Sequence, residues 1–449
     1  MTPKQIVEEL DVYIVGQSKA KRALALAIRD RLRRQKLPKD IADEIRPRNV
    51  ILIGSTGIGK TELARRLAKL SDSPFIKVEA SKFTEVGYVG RDVDSIIRDL
   101  TENAVEMIRQ KRVAEIGEAA EQNAEDRILE ILAKKKRGRK KAKTATSAKT
   151  EVAEKNSENR LEKLRKDLQA GKLNKRVVEL EVQERYYETV DSITIDGDDE
   201  MEIPLRDLLV GMLGNRTFKK KMPVEEAIDY LITEEEAKLI DMEQVTKDAL
   251  DKVEHSAIVF IDELDKIAGR EGGNGPEVSR QGVQRDILPI VEGSSVGTRY
   301  GTVRTDQILF IAAGAFHVSS PSDLIPELQG RFPVRVEMDS LTEEDFVRIL
   351  SEPKNALIKQ YTALLETEGI KLEFEKEAIE MLAHFATTVN QQTEDIGARR
   401  LHTVMEALLE EISFEGCDSQ KGQIVITAAY VKQRLAEIVK DNDLSRYIL

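Results

Sequence analysis

The sequence contains one cysteine, four histidines and no long apolar run. Cys417 has no second cysteine for a disulfide or a metal cluster, which favours a reducing compartment. No apolar run approaches the roughly 20 residues that a membrane-spanning helix needs, and residues 1–15 lack the apolar segment of a signal peptide. The histidines lack metal-ligand spacing and are interpreted as structural. We therefore expect a cytoplasmic protein without a membrane-spanning segment.

Positive charge is scarcer than negative charge. Lys and Arg number 70 against 81 Asp and Glu, which gives a formal net charge of -11. This balance argues against attraction of the whole surface to DNA phosphates or anionic lipid. Residues 134–141, KKKRGRKK, form one local basic run that could bind nucleic acid. No aromatic residues interleave there to stack bases, so a solvated loop is the favoured interpretation.

A phosphate-binding pattern is present at residues 54–61, GSTGIGKT. It follows the apolar run 50–53 and leads into a helical pattern at 62–70. A strand, a glycine-rich turn and a helix N-terminus together direct backbone N–H groups at phosphates. The sequence therefore predicts a nucleoside triphosphate site, in which Lys60 reaches the β- and γ-phosphates and Thr61 binds Mg²⁺.

The apolar run 257–261 ends in two acids, Asp262 and Glu263. Asp262 is predicted to hold Mg²⁺ through water, and Glu263 to polarise the water that attacks the γ-phosphate. An acidic pair at a strand end could instead cap the next helix. Together with the phosphate-binding pattern, the pair favours an ATP-driven machine over a GTPase or a small-molecule kinase.

Four short apolar runs alternate with helical patterns, as expected for parallel strands covered on both faces. These runs are residues 50–53, 75–78, 257–261 and 308–313. The alternation predicts an α/β P-loop domain with an open parallel sheet and the nucleotide at the carboxyl ends of the strands.

The rest of the chain divides by composition. Charged residues dominate residues 107–246, which predicts an inserted, mostly helical domain with a flexible Lys-rich loop. The α/β domain then comprises residues 1–106 and 247–337. Residues 338–449 are predicted to form a smaller, mostly helical C-terminal domain with one strand at 423–426. The helices expected there cover residues 343–361, 376–388, 396–414 and 428–440.

Several motifs together carry a family resemblance. Besides the phosphate-binding pattern and the acidic strand, they are residues 13–17 (YIVGQ), 83–90 (FTEVGYVG), 323–331, 396–402 and 443–449 (DLSRYIL). On these residues the sequence resembles the AAA+ superfamily and, within it, the unfoldase ATPase family of the bacterial HslUV proteases. The resemblance covers essentially the whole chain. It implies an AAA+ domain with an inserted helical domain and a helical C-terminal domain.

The resemblance assigns roles around a bound nucleotide. Val15 would touch the adenine, although by itself it reads as a core valine. Glu327 and Arg331 would face the nucleotide of a neighbouring subunit, with Arg331 as an arginine finger rather than a surface ion pair. Arg399 would be the sensor arginine, with Arg400 as a less favoured substitute. The other residues predicted to bind the nucleotide are Gly57, Ile58, Gly59, Lys60, Thr61, Glu62 and Asp262. The residues predicted to be catalytic are Lys60, Glu263 and Arg331.

Two further segments are assigned by the resemblance. The segment Gly87, Tyr88, Val89 and Gly90 resembles a pore loop, whose aromatic and β-branched side chains could grip any extended polypeptide. Without the family it reads as a surface turn. The apolar chain end would dock on a peptidase ring, or alternatively on its own domain, through Leu444, Tyr447, Ile448 and Leu449.

The resemblance implies an ATP-driven protein unfoldase that works as a homohexameric ring with ATP and Mg²⁺. It would feed protein substrates to a separate, HslV-like threonine peptidase, and no nucleic-acid or membrane partner is expected. The chain itself shows no nucleophile and base pair for peptide hydrolysis. Two alternatives stay open, a chaperone that acts without a peptidase and a nucleic-acid motor or loader. The run 308–313 ends in Ala312-Ala313-Gly314, so no sensor residue is assigned there.

Overall fold

The computed structural model describes residues 1–45, 47–83, 92–137, 164–168, 170–183, 217–269, 280–393, 395–415 and 422–440. The chain divides into two compact units. Unit 1 comprises Met1–Ile108 and Thr246–Leu449, and unit 2 comprises Arg109–Val245. Residues 134–137, predicted as part of the flexible Lys-rich loop, are instead the last residues of helix α5 (Ser95–Arg137), whereas residues 138–141 lie outside the described residues. Among the described helices, none has the length and apolar character needed to cross a bilayer.

The secondary structure alternates between strands and helices in most of unit 1. The strands are β1 (Val50–Ile53), β2 (Phe75–Glu79), β3 (Val177–Gln183), β4 (Thr217–Pro223), β5 (Ile258–Asp262), β6 (Ser295–Thr298), β7 (Gly301–Arg304), β8 (Leu309–Gly314), β9 (Val334–Glu337), β10 (Ile370–Phe374) and β11 (Gly422–Ile426). The helices are α1 (Pro3–Asp11), α2 (Ser18–Arg34), α3 (Lys39–Glu44), α4 (Lys60–Leu70), α5 (Ser95–Arg137), α6 (Val224–Leu239), α7 (Met242–Ser256), α8 (Leu264–Ile267), α9 (Arg280–Glu292), α10 (Pro326–Arg331), α11 (Glu343–Ser351), α12 (Leu357–Glu366), α13 (Lys376–Gln392), α14 (Arg399–Glu415) and α15 (Ala428–Lys440).

Unit 1 is built on a five-stranded sheet in the order β2-β5-β8-β1-β9. All four strand pairings are parallel. Every residue of β8 is buried, as are the first residues of β1 and β5, because helices cover both faces. The parallel α/β fold predicted from the short apolar runs is confirmed. Since the strands run the same way, the carboxyl ends of β1 and β5 lie at one edge of the sheet.

One core joins this sheet to α1, α2 and α4. Leu24 on α2, Leu63 on α4 and Phe260 on β5 are fully buried in it. Burying a side chain of this size stabilises the fold by about 1.5–3 kcal/mol. A buried polar residue, Asn49, fixes the sheet at the amino ends of its strands, opposite the edge where the carboxyl ends lie. Its Oδ1 accepts from the Phe310 N–H at 3.0 Å, and its Nδ2 donates to a carbonyl at the end of α10 at 3.1 Å.

The C-terminal part of unit 1 is mostly helical, as predicted, around a core shared by α11 to α15. Strands β10 and β11 pair in parallel at its side. The prediction of one continuous helix over 343–361 is wrong, because α11 ends at Ser351 and α12 begins at Leu357. Pro353 lies in the gap, and proline has no N–H to continue a helical hydrogen-bond ladder.

Unit 2 has a core of its own, formed by the second half of α5, the antiparallel pair β3–β4 and α6. Ile128, Leu180 and Leu231 are buried in it. Arg127 pairs with Glu234 at 3.2 Å and with Glu235 at 2.5 Å, which ties α5 to α6 at the edge of this core.

Candidate active site

The phosphate-binding pattern folds as a tight loop between β1 and α4. Gly57 (φ +73°) and Gly59 (φ +96°) adopt the left-handed conformation that glycine tolerates best. A side chain at Gly57 would also be impossible, since its Cβ would lie 1.8 Å from the carbonyl oxygen of Ile396. Helix α4 begins at Lys60, so its positive end is directed into the loop.

Lys60 is folded into this loop and is mostly buried. Its Nζ donates to the carbonyls of Gly54 and Ser55, the second at 2.7 Å. Burial lowers the pKa of Lys60, while the nearby carboxylates of Asp262 and Asp265 act in the opposite direction. The loop therefore holds the Lys60 ammonium against its own carbonyl oxygens.

Thr61 and Asp262 meet across the carboxyl edge of the sheet, with Thr61 Oγ1 3.4 Å from Asp262 Oδ2. A hydroxyl and a carboxylate are oxygen donors of the kind Mg²⁺ prefers, so the residues present fit that ion. Lys77 on β2 places its Nζ 2.9 Å from the same carboxylate oxygen. Sequence reasoning missed Lys77, although a lysine within the apolar run 75–78 was a visible signal.

Glu263 follows β5 in a left-handed conformation, with φ +56°. Its backbone N–H donates to Asp262 Oδ1 at 3.1 Å, and its Oε2 accepts from Ser81 Oγ at 3.2 Å. The turn leaves the Glu263 side chain exposed to the cavity described next. Ser81 was not predicted, because nothing in the sequence indicates that it lies beside an acid 182 positions away.

A cavity of about 730 Å³ brings most of the predicted site together. This volume lies in the range of about 300–1,000 Å³ that is usual for small-molecule sites. The predicted residues that line it are Val15, Gly57, Ile58, Gly59, Lys60, Thr61, Glu62, Asp262, Glu263 and Arg399.

Part of the cavity lining is apolar and comprises Ile14, Val15, Leu341, Ile349 and Leu357, a group called the base end below. A buried lysine, Lys21, fixes the first of these residues. Lys21 Nζ donates to the Ile14 carbonyl at 2.5 Å and to the carboxylate of Asp11 at 2.6 Å. The segment before α2 is therefore held against the cavity by a buried charge whose hydrogen bonds are made locally.

Glu62 lines the cavity on the first turn of α4 and binds two arginines of its own helix. Arg66 Nε donates to it at 2.6 Å and Arg65 Nε at 2.9 Å. Burial would raise the pKa of Glu62, but the hydrogen bonds from both arginines lower it below its usual value. The Arg66 guanidinium also lies 4.1 Å from the ring centroid of Tyr13. This contact packs α4 against the segment that contains Ile14 and Val15.

The segment before α14 rests on the phosphate-binding loop. The Ala398 N–H donates to the Gly57 carbonyl at 3.1 Å, and Thr56 Oγ1 donates to the Asp395 carbonyl at 3.3 Å. Gly397 has φ +57°, and a Cβ there would lie 2.7 Å from the Thr56 carbonyl oxygen. Two glycine backbones, at positions 57 and 397, thus allow this close approach.

Of the two adjacent arginines that follow, Arg399 lines the cavity. Arg400 is buried instead in the C-terminal core. Its Nε donates to Asn390 Oδ1 at 3.1 Å and its guanidinium to Thr393 Oγ1 at 2.9 Å. The two side chains leave the helix in different directions, so their environments differ completely.

Glu327 and Arg331 are not among the residues that line this cavity. Glu327 is exposed on α10. Arg331 forms an ion pair with Glu292, in which its Nε donates at 2.8 Å and its terminal nitrogen at 2.5 Å. The backbone carbonyl of Arg331 is the one that Asn49 binds, so α10 is fixed to the sheet.

A second cavity, of about 550 Å³, shares Lys60, Asp262 and Glu263 with the first. His317 and Ser319, beyond the end of β8, also line it. No sensor residue was predicted at this strand end, and the structure places the polar side chains of His317, Ser319 and Asp265 there. The predicted pore loop, 87–90, and the predicted docking residues after 443 lie outside the described residues.

Comparison with known proteins identifies the class of this chain. A family model described as "AAA domain (Cdc48 subfamily)" matches residues 145–335. A second model, described as "ATPase family associated with various cellular activities (AAA)", matches residues 50–169. The predicted AAA+ fold and ATPase class are confirmed.

Curated relatives match along the whole chain. The chain is 54% identical over 452 residues to the ATP-dependent protease ATPase subunit HslU of Desulfotalea psychrophila. It is 51% identical over 449 residues to the protein of the same name from Persephonella marina, and 52% identical over 464 residues to that of Thermotoga maritima. Each match covers 100% of this chain and 99% of the relative. The chain therefore belongs to the HslU family of AAA+ ATPases.

Proposed function

We propose that this chain is an ATP-driven unfoldase that threads protein substrates into a separate, HslV-like threonine peptidase and activates it. The observation that carries the proposal is the single cavity in which a P-loop, an acidic pair and an arginine of the C-terminal part converge. The relatives named ATP-dependent protease ATPase subunit, matched from end to end, support the rest.

In this proposal ATP lies with its base at the base end of the cavity and its phosphates in the loop. Lys60 Nζ leaves the loop carbonyls and binds the β- and γ-phosphate oxygens. Thr61 and Asp262, the latter through water, hold Mg²⁺, which neutralises phosphate charge. Arg399 binds the γ-phosphate, so release of this phosphate after hydrolysis removes a contact between the nucleotide and the C-terminal part. The sheet and helix positions described above make these roles compatible.

Hydrolysis then needs one base. The Glu263 carboxylate accepts a proton from water as the water oxygen forms a bond to the γ-phosphorus. The bond between that phosphorus and the bridging oxygen of the ADP group breaks, and ADP and phosphate are the products. The hydrogen bond from Ser81 Oγ to Oε2 of Glu263, at 3.2 Å, restricts the orientation of this carboxylate.

The proposed active form is a homohexameric ring. Arg331 lies outside the cavity of its own subunit and is anchored through Glu292 and, by its carbonyl, through Asn49. This arrangement suits an arginine finger, with Glu327 beside it, that acts on the nucleotide of a neighbouring subunit. In the ring, the segment Gly87–Gly90 would face the axis and grip substrate, and residues 444–449 would dock on the peptidase.

Two rival functions lead to different expectations. A nucleic-acid motor would show ATPase stimulation by DNA that falls with added salt, and the net charge of -11 disfavours it. A chaperone that acts alone would have no use for an apolar chain end. We also propose that the protein is cytoplasmic.

Substitutions at Lys60 and Glu263 separate binding from turnover. Lys60→Thr removes the phosphate-binding cation, so we expect nucleotide binding to be lost. Glu263→Gln keeps the shape and removes the base, so binding is expected to persist while kcat falls about 100-fold or more. Calorimetry with ADP and a phosphate-release assay measure the two quantities. Normal hydrolysis by Glu263→Gln would contradict the assigned chemistry.

Mixing subunits tests the position of the arginine finger. Arg331→Ala alone is expected to lower kcat about 1,000-fold. Lys60→Thr subunits have no working site but an intact Arg331, so mixing the two inactive variants is expected to restore part of the ATPase activity. Arg335→Ala, an exposed arginine on β9, is the matched control and should be active by itself. Absence of any restoration in confirmed mixed rings would contradict action between subunits.

The peptidase assay tests the proposed function directly. Intact chain is mixed with an HslV-like peptidase and an unstructured protein, and is compared with a chain that ends at Asn442. We expect degradation to need ATP, the peptidase and the intact tail, whereas the shortened chain keeps its ATPase activity. If the intact chain hydrolyses ATP but never activates the peptidase, the chaperone and nucleic-acid functions become preferable, and stimulation by DNA distinguishes them.

A further inference from the structure

A lysine forms an ion pair with one of the two residues expected to hold Mg²⁺. Lys77 Nζ on β2 lies 2.9 Å from Asp262 Oδ2, the same oxygen that lies 3.4 Å from Thr61 Oγ1. Only 15% of the Asp262 side chain is exposed, so its charge would be costly without a nearby cation. The Lys77 ammonium supplies the positive charge that this carboxylate needs.

The register of the central sheet brings the two residues together. Strands β2 and β5 run in parallel, with Lys77 opposite Phe260 and Glu79 opposite Asp262. Side chains two positions apart on a strand point to the same face, so Lys77 and Asp262 share a face and lie about 6–7 Å apart along the strands. A lysine side chain is long enough to span this distance. The fold itself therefore directs a cation to the end of β5.

The Lys77 ammonium can leave this contact at little cost. Its side chain is 36% exposed and lines the 730 Å³ cavity together with Thr61 and Asp262. A partly exposed ammonium at the end of a flexible stem can return to water, and such ion pairs contribute little to stability. Lys60, which also lines the cavity, donates instead to carbonyls of its own loop. Lys77 is thus the lysine that a second cation would displace from Asp262.

The positive charges of Lys77 and of a metal ion oppose each other at this carboxylate. The proposed ligands of Mg²⁺ are Thr61 and, through water, Asp262, and the ammonium already contacts one of them. Like charges that share one carboxylate repel, and the repulsion is larger for a divalent ion than for a monovalent one. Binding of Mg²⁺ therefore has to break the pair between Lys77 and Asp262.

We propose that Lys77 is a competing cation at the magnesium site, which pairs with Asp262 until Mg²⁺ enters with the nucleotide and thereby lowers the affinity for the metal. The inference rests on the proposed function in requiring that Thr61 and Asp262 hold Mg²⁺. It gives β2 a role that none of the motifs in the sequence indicated. Asp262 then keeps a positively charged partner throughout the cycle, as the metal and its nucleotide bind and leave.

The test measures how much Mg²⁺ strengthens nucleotide binding. The full-length chain is titrated calorimetrically with ADP, which is not turned over, once in saturating MgCl₂ and once in EDTA. The affinity of Mg²⁺ for free ADP is the same for every variant, so the ratio of the two ADP affinities reports the metal affinity of the bound complex. In Lys77→Met, which keeps the length of the side chain and removes its charge, we expect this ratio to rise about 5- to 10-fold above the wild-type value.

Lys82→Met is the matched control. Lys82 Nζ also lies 2.9 Å from a carboxylate oxygen, that of Glu79, but neither residue lines the cavity. This variant should keep the wild-type ratio. Lys77→Gln repeats the test should the methionine variant not fold.

Two results would overturn the competition. A wild-type ratio in the Lys77 variants would show that the ammonium does not oppose the metal, and a lower ratio would show that it holds Asp262 in place for the metal. In either case the magnesium site of the proposed function would stand, provided that Mg²⁺ strengthens ADP binding to the wild-type protein. If Mg²⁺ strengthens ADP binding to none of the proteins, the magnesium site itself is overturned, and the role of Lys77 with it.

Discussion

The contact between two backbones, at the phosphate-binding loop and at the segment before α14, is the constraint on which the site depends. Gly57 and Gly397 lie so close that a Cβ on either would overlap backbone atoms of the other segment. The Ala398 N–H to Gly57 carbonyl bond closes the contact. Because α14 begins at the next residue, this contact places Arg399 in the same cavity as Lys60. A change in the loop on binding phosphate would therefore be transmitted to the C-terminal helices.

The parallel sheet supplies the other half of the geometry. Since β1 and β5 run in the same direction, the loop after β1 and the acids after β5 emerge at one edge. Thr61 and Asp262 meet there. Glu263 itself adopts a left-handed backbone conformation, which directs its side chain toward the cavity. The strain of that residue, about 1–3 kcal/mol for such conformations, is borne by a well-packed strand and is common at catalytic positions. A buried, rigid sheet thus carries the reactive groups at its edge.

Much of this arrangement could be predicted from the sequence. Short apolar runs identified four strands of the central sheet but not β9, and the spacing of glycines and Lys60 identified the loop. The single helix expected at 343–361 is wrong because Pro353 interrupts the helical hydrogen bonds, although the apolar periodicity continues past it. That interruption also contributes Pro353 and Asn355 to the lining of the 730 Å³ cavity. Local irregularity, rather than periodic structure, created this part of the site.

Contacts between distant positions could not be predicted in the same way. Lys77 on β2 and Ser81 just after it contact the acids at the end of β5 only because β2 lies beside β5, a neighbour relation that the order of the chain does not state. Arg331 differs from these two residues. Its contacts within the chain, with Glu292 and Asn49, hold it in place, and its proposed target belongs to another subunit. Residue type identifies what a side chain can do, and the sheet order decides which side chains meet.

Substituting Gly397 by alanine tests the central constraint most directly. The new Cβ would press on the backbone of the phosphate-binding loop at a position where φ is +57°. We expect ADP affinity and ATP turnover each to fall about tenfold or more, which corresponds to a cost of about 1.4 kcal/mol or more. Gly422→Ala, where a Cβ would meet no atom within 4 Å, should behave like the wild-type protein. Wild-type binding and turnover in Gly397→Ala would show that the site does not depend on this contact.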